Sequence, residues 1–276
     1  MSKFDKAVQI VHDALAEIQE SGGKGMRASK DSLAKLVHTK AALKSSSKLE
    51  IPKENREIIT PTPSPVHGTD KAGRMNALRA RALVCTKCAH LVKSRTQVVF
   101  GVGNIDAELM FVGEAPGADE DLQGEPFVGK AGQLLTKIIE TMGFSRDTVY
   151  IGNVLKCRPD MPPGESGNRK PRPDEMATCL PYLIEQIEII QPRVMVALGA
   201  TAMQGLIDAT APMNQLRGRW HDFKSTPLMA TYHPAYLLRN QSLSEKRKVW
   251  EDMLMVLEKL GRPISDKQRN YFLAKG

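Results

Sequence analysis

Nowhere does this sequence approach the roughly 18 consecutive apolar residues that mark a membrane-spanning helix. A channel, a transporter or a single-span receptor is therefore not expected. The first twenty residues carry acids and no unbroken apolar core, so no secretory leader is expected and the cytoplasm is the expected compartment. Cysteine is scarce, with four in 276 residues, and in the reducing cytoplasm disulfides are not expected of them. Aromatic residues make up only 5% of the chain, so one that falls in a loop invites a question about its purpose. Acid is in deficit, with 31 Asp and Glu against 39 Lys and Arg, which leaves a net charge of +8. That balance suits a polyanionic partner, whose condensed counterions are released on binding. A basic protein with no such partner has the same composition, so charge alone does not decide.

The residues that are present divide the chain into three. Residues 1–74 form an N-terminal extension. Phe4, Val8, Val11, Leu15 and Ile18 recur at helical spacing there, and the Lys-, Ser- and Pro-rich stretch that follows reads as a mobile linker or as a basic arm for DNA or a partner. Residues 75–262 read as one domain. Short apolar runs at 108–113, 148–154, 193–199 and 228–234 have the continuous hydrophobicity of strands covered on both faces. Between them, 131–143, 173–190 and 245–260 carry helical periodicity, and a further helix is expected to begin at Gly199. Pro173 with Asp174 and Glu175 in the first turn, and Gly143 past the last, are helix start and stop signals. Strands alternating with helices predict a layered α/β domain with a largely parallel sheet. Residues 263–276 read as a frayed tail.

In such a sheet, ligands bind where the carboxyl ends of the strands open into loops. The first predicted strand runs into Gly113, Glu114, Ala115, Pro116 and Gly117, the second into Asn153, and the fourth into His233 and Pro234. A carboxylate, an amide and an imidazole are thereby brought to one edge.

Four motifs have competing readings. Residues 124–130 nearly match a phosphate-cradling loop, but Ala131 stands where the magnesium-binding hydroxyl belongs, so Lys130 is better suited to a lone phosphate or to solvent. Cys85 and Cys88 make a CxxC knuckle, while Cys157 and Cys179 are widely separated and have no paired histidine. Four thiolates suit an iron–sulfur cluster or zinc, or they are inert core residues. Asn153 can tie a loop or read a pyrimidine edge, because an amide both donates and accepts. Phe127, in a loop between glycines, can be core or a stacking platform for a base. The basic stretch 158–173 reads as a solvated loop.

Taken together, GEAPGADEDLQGEPFVGKAGQLL, IGNVLKCRP with GNRKP, YHPAYLLR and the four cysteines resemble the family 4 uracil-DNA glycosylases over roughly residues 78–260. The resemblance implies a three-layer α/β/α sandwich around a central, mostly parallel four-stranded sheet. It implies hydrolysis of the bond between uracil and deoxyribose in single- or double-stranded DNA by a monomer. Cys85, Cys88, Cys157 and Cys179 would ligate a structural [4Fe-4S] cluster. Gly113, Glu114, Ala115 and Gly117 would present backbone groups and a carboxylate to uracil and the attacking water. Phe127 would stack on the flipped base, Asn153 would read its edge, and His233 would donate to its O2. Leu237, Leu238 and Arg239 would wedge into the duplex, with Lys130 also facing DNA.

The sequence departs from the family at two points within the matched core, and the N-terminal extension of roughly 75 residues lies outside it. The stretch between Cys157 and Cys179 is longer than usual. Ala118 stands where relatives often carry an acid. Ala115 replaces the water-orienting aspartate of other superfamily members, which leaves Glu114 as the first candidate for that role and Glu120 as the second. A neighbouring group that traps its product covalently carries a basic loop ending in histidine, and no histidine lies between Cys157 and His221 here, so ordinary hydrolysis is expected. The rival readings are a non-catalytic iron–sulfur DNA-binding protein and a nucleotide-binding module built on the 124–130 loop.

Overall fold

A computed structural model describes residues 71–162, 164–165 and 167–273. The helix expected over residues 4–20 and the linker after it lie outside the described residues. In chain order the elements are α1 (Lys71–Leu83), α2 (Ala89–Ser94), β1 (Val102–Gly103), β2 (Leu109–Gly113), α3 (Ala118–Gln123), α4 (Lys130–Thr141), β3 (Tyr150–Asn153) and α5 (Pro173–Ile190). They continue with β4 (Val194–Leu198), α6 (Ala200–Ile207), α7 (Met213–Leu216), β5 (Trp220–Phe223), β6 (Thr226–Thr231), α8 (Pro234–Arg239), α9 (Leu243–Leu260) and α10 (Asp266–Arg269).

One sheet runs in the order β1-β3-β2-β4-β6-β5. Its inner four strands are parallel and are the four expected from the sequence. The expected strand count of four is corrected to six, because β1 and β5 pair antiparallel at the two edges. Neither edge strand has the signature of a buried one. β1 is two residues long, and β5 alternates through His221 and Asp222 with only Phe223 buried.

The sheet separates two apolar layers, and strand geometry decides which side chain enters which. Side chains alternate along a strand. Met110 and Val112 of β2 therefore join Met195, Ala197, Leu228 and the helical layer of α1, α5 and α6. Leu109 and Phe111 face the other way, toward Val196, Met229, Leu135 of α4 and Trp250 of α9. Phe111 is wholly buried, and truncating such a side chain costs about 3–5 kcal/mol.

Helix ends follow local chemistry. In α5 the Glu175 carboxylate accepts from the Arg172 backbone N–H at 2.7 Å, satisfying a donor the helix start leaves free. Ser242 caps α9, which ends at Gly261 in the left-handed conformation (φ 70°). The tail expected to fray is instead docked as far as Tyr271. The Trp250 indole donates to Gln268 O at 2.6 Å, and Arg247 donates to the carbonyls of Arg269 and Tyr271 at 2.7 and 2.9 Å. The tail is polar in composition, and what orders it is a set of donors on α9, distant in sequence.

The register positions the site. Gly113 pairs with Asn153, and Leu198 pairs with Thr231, two residues before His233. The carboxyl ends of the inner strands therefore stand level, along one edge.

Candidate active site

The site starts from a close approach. A Cβ on Gly113 would lie 2.4 Å from Asn153 Oδ1 and 2.5 Å from Phe127 Cζ, so only glycine lets the amide and the ring meet behind the turn. The turn itself is stitched to the continuation of β3, since Gly113 O and Glu114 O accept from Val154 N and Leu155 N at 3.0 Å each.

Phe127 sits in the left-handed region (φ 56°), a conformation that costs an L-residue roughly 1–2 kcal/mol. Several contacts hold it there. Arg146 donates to Phe127 O (3.1 Å) and Pro126 O (2.8 Å), and Glu120 accepts from Val128 N and Gly129 N at 3.0 Å. The ring faces His233 with centroids 5.6 Å apart and borders a cavity of about 380 Å³. Glu114, Asn153 and His233 line the same cavity.

Glu120 lines the cavity too, but its carboxylate is committed: one oxygen takes the two loop amides and the other accepts from Gly117 N at 3.1 Å. Those amides are the ones a phosphate cradle at 124–130 would need free, so that loop is closed to a nucleotide phosphate. Lys130 is exposed at the first position of α4.

The polar groups of the cavity have defined states. His233 Nδ1 accepts from Ala235 N at 3.1 Å. Burial, reinforced by the positive charge of Arg239 and opposed by Glu120, pushes the imidazole down to about 4. The ring is therefore neutral at pH 7, and since Nδ1 is an acceptor the proton resides on Nε2. Burial pushes the Glu114 carboxyl up, while a hydrogen bond from the Thr201 side chain and the Lys170 ammonium hold it down. Asn153 is 2% exposed, and its Oδ1 has no hydrogen-bond partner. A buried acceptor left unpaired costs roughly 1–3 kcal/mol, an expense a ligand donor would relieve.

The expected DNA-facing residues are split by α8. Leu238 is 39% exposed and Arg239 lines the cavity. Leu237 is buried at 5%, so its side chain supports the helix from beneath and is not presented to a partner as the sequence reading had it. The reading missed Thr201, Asn168, Arg169 and Lys170. Thr201 follows a strand like many structural threonines and carried no signal. The other three belong to the GNRKP motif, inside a stretch whose composition suggests solvent.

Cys88, Cys157 and Cys179 meet around Leu91, Val98 and Leu155, with Ala115 packed against the same cluster, and Cys85 stands near enough for its charge to be felt at all three. Arg95 donates to Cys157 Sγ at 2.9 Å and to Cys85 O at 2.7 Å, and Lys156 N donates to Cys179 Sγ at 3.2 Å. Burial pushes the Cys88, Cys157 and Cys179 thiols up, Cys179 to about 12, and the neighbouring sulfurs add to it. Such a group ionises only when a cation replaces its protons, and the donors from Arg95 and Lys156 are already directed at sulfur. Tetrahedral zinc with bonds of about 2.3 Å needs sulfurs roughly 3.8 Å apart. Among the described residues, the only three ligand-type atoms within 4.8 Å of one another are those of His90, Asp160 and Glu175. No three of the four sulfurs lie within 4.8 Å of one another, and four thiols with no paired histidine suit an iron–sulfur cluster or zinc. The His90, Asp160 and Glu175 group is itself occupied by the guanidinium groups of Arg169 and Arg172.

Comparison with known proteins agrees with this geometry. Residues 100–254 match the uracil DNA glycosylase superfamily. A type-4 uracil-DNA glycosylase of Thermotoga maritima is 46% identical over 182 residues, covering 65% of this chain and 91% of the relative. Its counterpart in Archaeoglobus fulgidus is 45% identical over 59% of this chain and 82% of the relative, and that of Sulfurisphaera tokodaii 38% identical over 72% and 90%. With the four cysteines, the glycine turn and the asparagine and histidine at the strand ends all in place, the chain belongs to the uracil DNA glycosylase superfamily and, within it, to the type-4 family.

Proposed function

We propose that this protein excises uracil from DNA by hydrolysing the N-glycosidic bond, leaving an abasic site. The observation that carries the reading is buried Asn153, whose Oδ1 has no hydrogen-bond partner and which lines the same cavity as His233 and the Phe127 ring. Uracil offers a donor at N3 and acceptors at O4 and O2. Asn153 Oδ1 accepts from N3–H while its amide N–H₂ donates to O4, His233 Nε2–H donates to O2, and Phe127 covers the face.

A base within a duplex must be extruded, at a cost of a few kcal/mol. Stacking on an aromatic ring returns about 1–3 kcal/mol, and exposed Leu238 fills the place the base leaves. As the bond breaks, negative charge collects on the uracil, and a neutral His233 stabilises it without having to lose a proton of its own. Glu114 orients the water. Glu120 acts at one remove, by holding the turn and the Phe127 loop together. Cys85, Cys88, Cys157 and Cys179 would hold a [4Fe-4S] cluster that supplies cohesion between the α1–α2 turn, the segment after β3 and α5. We read the protein as a cytoplasmic monomer acting on single- or double-stranded DNA. Among the described residues no helix is long and apolar enough to cross a membrane.

Incubation with a uracil-containing oligonucleotide, followed by alkali, tests the reading: strand cleavage at uracil is expected, with none at cytosine or thymine. Binding without cleavage would return the protein to the non-catalytic class. A mass increase of the denatured protein would mark it as a covalent trap.

A further inference from the structure

Beside the turn that carries His233 lies a buried ion pair with no part in the chemistry proposed above. Asp252 of α9 is wholly buried, and the side chain of Arg217, just past α7, is 15% exposed. The two meet as a fork: Arg217 Nη2 donates to Asp252 Oδ1 at 2.6 Å, and Nε donates to Oδ2 at 3.1 Å. Nη2 also donates to Lys248 O, one turn earlier in α9, at 2.6 Å. Cohesion alone does not require such a pair. Desolvating both charges cancels much of their attraction, and apolar side chains of similar volume often hold a core as well.

Its contacts show what else it holds. Asp252 Oδ2 accepts from Thr231 Oγ1 at 2.7 Å, and Thr231 is the buried last residue of β6. The Arg217 guanidinium lies 6.0 Å from the centroid of the Tyr232 ring. Tyr232 also stacks on Tyr236 of α8 with centroids 4.5 Å apart, and the Tyr236 hydroxyl donates to Glu245 of α9 at 3.0 Å. Both residues that precede His233 are therefore gripped by one ion pair. From β4, Gly199 N donates to Thr231 O at 2.8 Å, and a Cβ on Gly199 would lie 3.1 Å from His233 Cβ. The imidazole springs from a segment with little room to shift.

We propose that Asp252 and Arg217 are positioning residues for His233: by holding Thr231 and Tyr232 they set where Nε2–H stands in the cavity to meet uracil O2. The proposal rests on His233 being the donor to O2. Such a donor acts best when its place is set before charge develops. The hydrogen bonds of His233 itself do not set that place. Nδ1 accepts from Ala235 N, and the His233 carbonyl accepts from Tyr236 N at 2.8 Å, so both bonds are local to α8 and turn with it. Thr231 and Tyr232 are what tie the start of that helix to the sheet and to α9.

The test is single-turnover uracil excision by the full chain at saturating single-stranded oligonucleotide, with affinity for an abasic product strand measured alongside. Arg217→Met combined with Asp252→Leu replaces the pair by apolar side chains and should melt near wild type. It should slow excision about 10- to 100-fold, as a small misplacement does, with affinity unchanged. Thr231→Val removes only the hydroxyl, decides the matter if the double variant does not fold, and should slow excision in the same way. Thr231→Ser should restore the rate. In a His233→Ala background, Thr231→Val should change the remaining rate by no more than about twofold, because the group it positions is gone.

An equal loss in both backgrounds, a wild-type rate for Thr231→Val, or a loss of affinity with the rate kept would overturn the proposal. A wild-type chain inactive on uracil would instead refute the assigned function, and a fully active His233→Ala the assigned donor, so the failures are distinct.

Discussion

Replacing Asn153 by leucine separates recognition from stability. The two side chains have nearly the same shape, so the approach of Gly113 behind residue 153 is kept. What is lost is an acceptor that is buried at 2% exposure and unpaired in the free protein. Removing an unsatisfied buried polar group returns its desolvation penalty of about 1–3 kcal/mol. For a domain of this size each kcal/mol moves the melting temperature by roughly 2–4 °C. Asn153→Leu should therefore melt several degrees above wild type. It should also lose uracil excision by about 10⁴-fold, the penalty when a hydrogen-bonded pattern goes unanswered. Calorimetry and single-turnover excision on the same preparation provide the two numbers. A variant that melts several degrees lower would show that the amide supports the fold, and one that retains uracil activity would remove Asn153 from the reading of the base.

Further outcomes concern His233, the two leucines of α8 and the cysteines. His233→Ala should slow excision by about 10²–10³-fold, as for one lost oxyanion donor. Because the folded imidazole is held near 4 while the unfolded one titrates near 6.5, the unfolded chain binds the extra proton between those values. Stability is then lost as pH falls from 6.5 toward 4, and thermal melts of His233→Gln should show a shallower loss over that window. On α8, Leu237→Ala should cost about 2–5 kcal/mol of stability measured by denaturant, whereas Leu238→Ala should melt like wild type and lose activity on duplex but not on single-stranded uracil. Protein purified without oxygen should be brown, with four irons per chain by elemental analysis, and Cys157→Ser should lose soluble yield; a colourless active protein with one zinc would refute the cluster.

The inner sheet was legible because β2, β3, β4 and β6 are buried on both faces and carry unbroken apolar runs. The edges were not, since β1 takes its place by pairing with β3 and not by pattern. In the site, Gly113, Glu114, Asn153 and His233 were legible as strand-end residues, and the register brings them level. Phe127 was legible only as an aromatic out of place, and its left-handed backbone depends on Glu120 and Arg146, contacts made across eight and nineteen residues. Leu237 and Leu238 are adjacent and chemically identical, and only the packing of α8 makes one a support and the other a probe. The wall at 168–170 was hidden because its order comes from Glu175, whose carboxylate the sequence marks as a helix-start residue and nothing more.

The close approach of Gly113 to residue 153 has a consequence for redesign. The space behind the reading amide is filled by a backbone that has no atom to give up, and the space beside it by a ring pinned in a strained conformation. A longer side chain at position 153, glutamine or histidine, has nowhere to retreat, so base preference cannot drift through a graded series of substitutions there. Only a residue of asparagine's own size is admitted. Aspartate is the one that inverts the polarity offered to a pyrimidine, and any route to a cytosine-excising descendant passes through that single exchange or requires Gly113, Phe127 and residue 153 to change together.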